Sequence, residues 1–171
     1  MKGQYFSFDA IIATVIMVMA FTSLVAYWFG VQSVAESKTS PMYNQALRIA
    51  ESLLSPGAPA DWPDASIDEI KQLGLTDDFG TRLNKTKVKE LVRLSETNYK
   101  AVGKLLRAGG EGQNYYILIE QADDASTPPI AQIGKWDYLD AKEVAIAHRG
   151  ATFEIDGKHR PVRIRVFLWQ E

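Results

Sequence analysis

From Ala10 to Val31 the chain carries no charged residue. Wound as an α-helix at about 1.5 Å per residue, these 22 positions span roughly 33 Å, enough to cross a hydrocarbon core of roughly 30 Å. No other stretch constrains the fold as strongly, because such a segment must be covered by lipid or by other protein. It reads as a membrane-spanning helix. A secretory signal would have a shorter apolar core, about 7 to 15 residues, with a small-residue cleavage site behind it. Here Gln32, Ser33, Glu36 and Lys38 follow the run, without an Ala-x-Ala-like site. Within the run, Ala13, Thr14, Ala20, Thr22, Ser23 and Ala26 are small residues, which permit close approach of neighbouring helices. Flanking charge is nearly balanced, with Lys2 on one side and Lys38 on the other, so the orientation rests on the N-terminal residues.

Those residues are Lys2-Gly3-Gln4, followed by Tyr5-Phe6-Ser7-Phe8-Asp9. A basic residue, a glycine and a glutamine directly ahead of a hydrophobic helix resemble the class III signal peptides of archaeal type IV pilin-like proteins. The resemblance implies that a prepilin peptidase cuts between Gly3 and Gln4 and leaves the helix in the mature protein. It further implies a single-pass membrane protein with an extracytoplasmic C-terminal domain, and identical or related pilin-like subunits packed into a cell-surface filament. The family's acidic residue, which offsets the new terminal amine, falls four residues after the first mature one, where this chain has Phe8. Asp9 lies one position further, a turn of about 100° around a helix. A carboxylate in lipid costs about 2.5 to 3.5 kcal/mol at the centre of a span and less near the interface, so Asp9 needs a partner. Two other readings of Asp9 remain open: a place among headgroups, or one in the first helical turn, where the macrodipole favours negative charge.

Residues 1–31 are therefore expected to form the signal-like N-terminus and anchor, and 32–171 an α+β head domain outside the cytoplasm. The head is long enough for its own core. With 19 basic and 21 acidic residues and a net charge of −2, the chain lacks the basic excess of a nucleic-acid binder, and no nucleic-acid partner is expected. It contains no cysteine, which excludes disulfides and thiolate metal sites.

Beyond Gln32 the helical pattern continues until Pro41, with Ser40 as the cap of a second helix and Pro41 at its first position. Leu47, Ala50, Leu53 and Leu54 fall on its apolar face. The segment 55–64, with prolines at 56, 59 and 63 and Gly57, reads as a rigid loop whose Trp62 plugs the edge of the core. Ile67, Ile70, Leu73 and Leu75 read as a short turn stopped by Gly74. The residues Leu54-Ser55-Pro56-Gly57, Asp61-Trp62 and Leu73-Gly74-Leu75 also resemble a segment recurring behind the N-terminal helix of the same pilin-like proteins. Asn84 is placed to cap a helix containing Val88, Leu91 and Leu94, and a further helix after Ser95 is stopped by Gly109-Gly110. Lys85, Lys87, Lys89, Arg93, Lys100, Lys104 and Arg107 give this pair a basic outer face, either solvated or in contact with acidic headgroups or a neighbouring subunit's acidic groove. Asn84-Lys85-Thr86 is also an acceptor triplet for N-glycosylation.

From Gly112 the period switches to alternation. Tyr115–Ile119, Ile130–Ile133 and Glu143–Arg149 read as strands, and Thr152–Ile155 enters a hairpin turn at Asp156-Gly157. The last strand places Val162, Ile164, Val166 and Leu168 on one face and Arg163, Arg165, Phe167 and Trp169 on the other. Helices followed by about four antiparallel strands define the α+β class. Catalytic patterns are absent: His148 and His159 lie apart, Asp123, Asp124, Asp137 and Asp140 lack calcium-loop spacing, and Gly109-Gly110-Glu111-Gly112 lacks the Lys-Ser/Thr of a phosphate loop. No enzymatic activity, cofactor or metal is expected. Two functions fit this pattern: a filament subunit, and an unprocessed membrane-tethered module that binds another envelope protein.

Overall fold

A computed structural model describes residues 4–108, 112–123 and 127–170, with side chains described for these except 4–7 and 33–39. The chain forms two compact units, Met1–Thr39 and Ser40–Glu171. The first is one helix, α1 (Gln4–Thr39). The second holds α2 (Pro41–Ser52), a single 3-10 turn (Trp62–Asp64), α3 (Lys85–Thr97) and α4 (Tyr99–Leu105). The strands β1 (Gln113–Gln121), β2 (Ala131–Gly134), β3 (Glu143–Ile155) and β4 (Lys158–Gln170) follow. The strands form an antiparallel sheet in the order β2-β1-β4-β3. This is the α+β class read from the pattern.

The alternation of β4 is realised as expected. Val162, Ile164, Val166 and Leu168 are buried in the main core with Tyr115, Ile117 and Ile119 of β1 and Ala147 and Ala151 of β3. Against that face, α2 packs on β3 and β4 while α3 packs on β2. The β3–β4 turn follows the chemistry of its residues, with Asp156 at φ 51° and Gly157 at φ 72°, the doubly left-handed pair that matches strand twist. Tyr99 of α4 stacks on Tyr115 of β1 with centroids 4.6 Å apart. The Tyr99 hydroxyl accepts from the Tyr115 amide at 3.0 Å, and the Tyr115 hydroxyl donates to the Tyr99 carbonyl at 3.2 Å. Burial pushes the Tyr115 phenol well above its usual pKa, and Tyr99 adds to the rise.

Several local expectations are corrected. Pro41 opens α2 and Ser40 is its N-cap residue, but the Ser40 hydroxyl donates to Glu143 Oε1 at 2.8 Å and makes no side-chain capping bond. The face that α2 buries is Ala46, Ile49, Ala50 and Leu53, leaving Leu47 and Leu54 half-buried, because β3 and β4 meet the helix slightly around its axis from the expected stripe. The expected turn is present at 67–69, followed by a bridge at Gln72, but Gly74 is a close-packing site rather than a stop. The break between α3 and α4 comes at Asn98, three residues after Ser95. α4 ends before Gly109-Gly110, which lie outside the described residues. Arg107 takes the left-handed position at φ 57°, with Ala108 N donating to Gly103 O at 2.8 Å and Arg107 N to Lys104 O at 2.9 Å. This is the bonding of a glycine-type helix stop made by an arginine. The Gln45 side-chain amide of α2 donates to the Arg107 carbonyl and holds the turn from outside.

Candidate membrane helix and head-domain surfaces

Within α1, Phe8–Gln32 is long and apolar enough to cross a membrane, and its side chains are exposed among the described residues. Its threonine and serine hydroxyls bond within the helix. Thr14 donates to Ala10 O at 2.7 Å, Thr22 to Val18 O at 2.8 Å and Ser23 to Met19 O at 2.8 Å. Such back-bonding lets threonine and serine enter a hydrocarbon environment without an orphaned donor. Near the far end of the apolar segment stand Tyr27 and Trp28, 72% and 66% exposed. Ring side chains with a polar handle favour the membrane–water interface, and this pair is a positional marker that apolar counting alone passes over.

Of the residues tied to processing, Gly3 lies outside the described residues and Gln4 is the first helical position. Asp9 is exposed and sits beyond the first turn of α1, which contains no acidic residue. The first-turn reading of Asp9 therefore does not hold. Asn84 performs the capping expected of it: its Oδ1 accepts from Thr86 N at 2.7 Å and Lys87 N at 3.1 Å. Its Nδ2, the atom a glycan would modify, donates to Asp77 Oδ1 at 2.7 Å. An attached glycan would leave that nitrogen a single N–H.

The basic outer face loses one member. Lys87 is 5% exposed, and its ammonium donates to Thr76 O at 2.7 Å and Pro56 O at 2.9 Å, with Asp77 Oδ1 at 3.8 Å. Burial pushes its pKa down from the ordinary lysine value, while Asp77 and Asp61 pull it back up. Lys87 thus ties α3 to the loops on either side of Trp62. That indole is fully buried, and its Nε1 donates to Gly74 O at 2.8 Å. The expected core plug is present, and it is bonded as well as packed.

A second apolar cluster was not anticipated. On the sheet face away from the helices, Tyr116, Leu118, Phe167 and Trp169 are buried, with Tyr138, Ala141 and Val144 packed against them. The connection from β2 to β3 supplies the cover, with Tyr138 stacked on Phe167 at 5.3 Å and Trp136 edge-on to Tyr116 at 4.7 Å. Alternation in β4 put Phe167 and Trp169 on this face, but the covering segment has no periodicity to announce it. Further along the face, Arg165 pairs with Glu120 at 2.7 Å and Arg163 lies 3.8 Å from the same carboxylate.

Among the described residues, no group of three His, Cys, Asp or Glu side chains could hold a metal ion. His148 pairs across the sheet with Arg165 and His159 with Glu154, so the two imidazoles are not brought together. Asp137 and Asp140 are exposed on the β2–β3 connection, and Asp124 lies outside the described residues. A cavity of about 770 Å³ opens between α4, the 67–70 turn and the end of β2, with Lys100, Lys104, Lys135 and Asp68 around it. The Lys135 ammonium stands 5.2 Å from the Tyr99 ring centroid. At the other end of α3, Phe79 is 88% exposed beside Asp77 and Asp78, also exposed. Comparison with protein-family models, curated proteins and solved structures finds no match to this chain.

Proposed function

We propose that the chain is a structural subunit, major or minor, of an archaeal type IV pilus-like surface filament. The observation that carries the reading is α1, a 36-residue helix whose Phe8–Gln32 segment is long, apolar and exposed among the described residues. A helix apolar on all sides needs surrounding lipid or protein, and a pilin-like helix has both in turn: lipid while stored, neighbouring helices once assembled. The class III-like Lys2-Gly3-Gln4 and the antiparallel-sheet head support the same plan. Cleavage between Gly3 and Gln4 by a prepilin peptidase frees an amine for Asp9 of the same or an adjacent subunit. The head stands outside the cytoplasm and decorates the filament surface.

The same exposed helix would also serve a permanent tether for a head that binds another envelope protein. Electron microscopy of sheared surface filaments, labelled with antibody against the sheet domain, separates the two. Labelled filaments support the subunit reading, and label confined to membranes contradicts it. In the same cells Asp9→Ala is expected to leave the protein in the membrane and lower filament yield at least tenfold. An unchanged yield would remove Asp9 from assembly.

A further inference from the structure

The two ends of α3 carry surfaces of opposite charge. At its N-terminal end the loop before Asn84 projects Phe79, 88% exposed, between Asp77 and Asp78 on one side and Gly80 on the other. This tip is held firmly by Asn84 Nδ2 donating to Asp77 Oδ1 at 2.7 Å and by the Thr76 hydroxyl bonding to the Asp78 carbonyl. At the C-terminal end, where Thr97 and Asn98 close the helix, lies the cavity of about 770 Å³. Its apolar lining includes Ile67, Ile70, Ala101 and Leu105, and three lysines, Lys100, Lys104 and Lys135, stand around it with one carboxylate, Asp68. None of these lysines is in an ion pair among the described residues. The volume lies within the range of about 300 to 1,000 Å³ typical of ligand cavities.

We infer that the Phe79 tip of one copy of this chain docks in the lysine-rich cavity of the next. An aromatic ring flanked by two carboxylates meets a partly apolar cavity whose three ammonium groups outnumber its one carboxylate, so the charges are complementary. Tip and cavity are separated by the length of α3, roughly 20 Å for 13 residues, so one copy cannot satisfy its own cavity with its own tip. The contact is heterologous, and a heterologous contact repeats from copy to copy into a ring or an open filament. The inference rests on the reading of the chain as a self-assembling subunit and adds which head surfaces meet.

The chain has no cysteine, so introduced pairs report without background. Two differently tagged full-length copies are co-expressed, one with Thr81→Cys beside the tip and one with Ala101→Cys in the cavity, and treated with a short bis-maleimide in intact cells. The expected heterodimer yield is at least fivefold above that of Thr81→Cys paired with Glu154→Cys at the β3–β4 hairpin. It should fall at least fivefold when Phe79→Ala joins the tip copy or Lys104→Glu the cavity copy. Adding Asp78→Lys to the tip copy should restore the Lys104→Glu yield. A yield no higher than the Glu154→Cys control, or one insensitive to either substitution, overturns the contact. Shearing the same cells separates this result from the filament reading: filaments without the cross-link reject only the contact. The cross-link in membranes without sheared filaments supports the contact and rejects the filament.

Discussion

Trp62→Ala is expected to lower the stability of the head by about 3 to 5 kcal/mol, the range for truncating a fully buried large aromatic side chain. The indole is 0% exposed and its Nε1 bonds Gly74 O at 2.8 Å, so the substitution opens a cavity and also orphans a carbonyl. The surroundings cannot close over the gap. The residues facing the ring include Gly57, where an added Cβ would lie 2.7 Å from Trp62 Cδ1, and Gly74, where one would lie 2.1 Å from Ser55 O. Backbone already meets backbone there, between the 53–58 and 72–75 segments: Leu75 N donates to Leu53 O at 2.8 Å and Ala58 N to Gln72 O at 2.9 Å. Thermal unfolding of the detergent-solubilised chain, followed by circular dichroism, should show a midpoint lower by roughly 10 °C or more. A loss under about 1.5 kcal/mol would show that the loop relaxes around the vacancy.

Lys87→Met should cost about 2 to 4 kcal/mol, although it keeps much of the side chain's volume and removes a buried charge. Its ammonium serves the carbonyls of Thr76 and Pro56 at 2.7 and 2.9 Å, and a buried acceptor left without a donor costs about 1 to 3 kcal/mol. Urea unfolding of the same preparation measures the loss. If the substitution is neutral, water replaces the ammonium and Lys87 holds nothing together. Because Trp62 and Lys87 brace the same pair of loops, the double variant should lose less than the sum of the two, with a coupling of about 0.5 to 3 kcal/mol.

What could be read ahead of the structure followed from periodicity and turn chemistry. The apolar run became α1, the alternation of Val162 to Leu168 became the buried face of β4, Asn84 became a cap and Asp156-Gly157 a hairpin turn. Each of those depends on neighbours in sequence. The misses depend on partners distant in sequence. Lys87 sits among basic residues on a helical pattern, and only the arrival of Pro56 and Thr76 turns it inward. Ser40 holds the N-cap position, but its hydroxyl goes to Glu143. Arg107 stops α4 in a conformation glycine would favour, because the Schellman bonds and Gln45 secure it. The aromatic cover formed by Trp136 and Tyr138 lies on a connection with no repeating pattern, so nothing local signals that it folds over Phe167. The candidate contact divides the same way. The lysines of α4 were visible as a basic face, while the cavity they surround and the exposure of Phe79 required the fold.

The filament proposal depends on a helix that is released at its N-terminus and retained in the mature protein. Mass spectrometry of the chain recovered from the surface of cells with an active prepilin peptidase tests this most directly. The predicted mass is that of a protein beginning at Gln4, with Met1-Lys2-Gly3 absent and the apolar helix intact. A chain that keeps Lys2-Gly3, with or without Met1, would contradict the account.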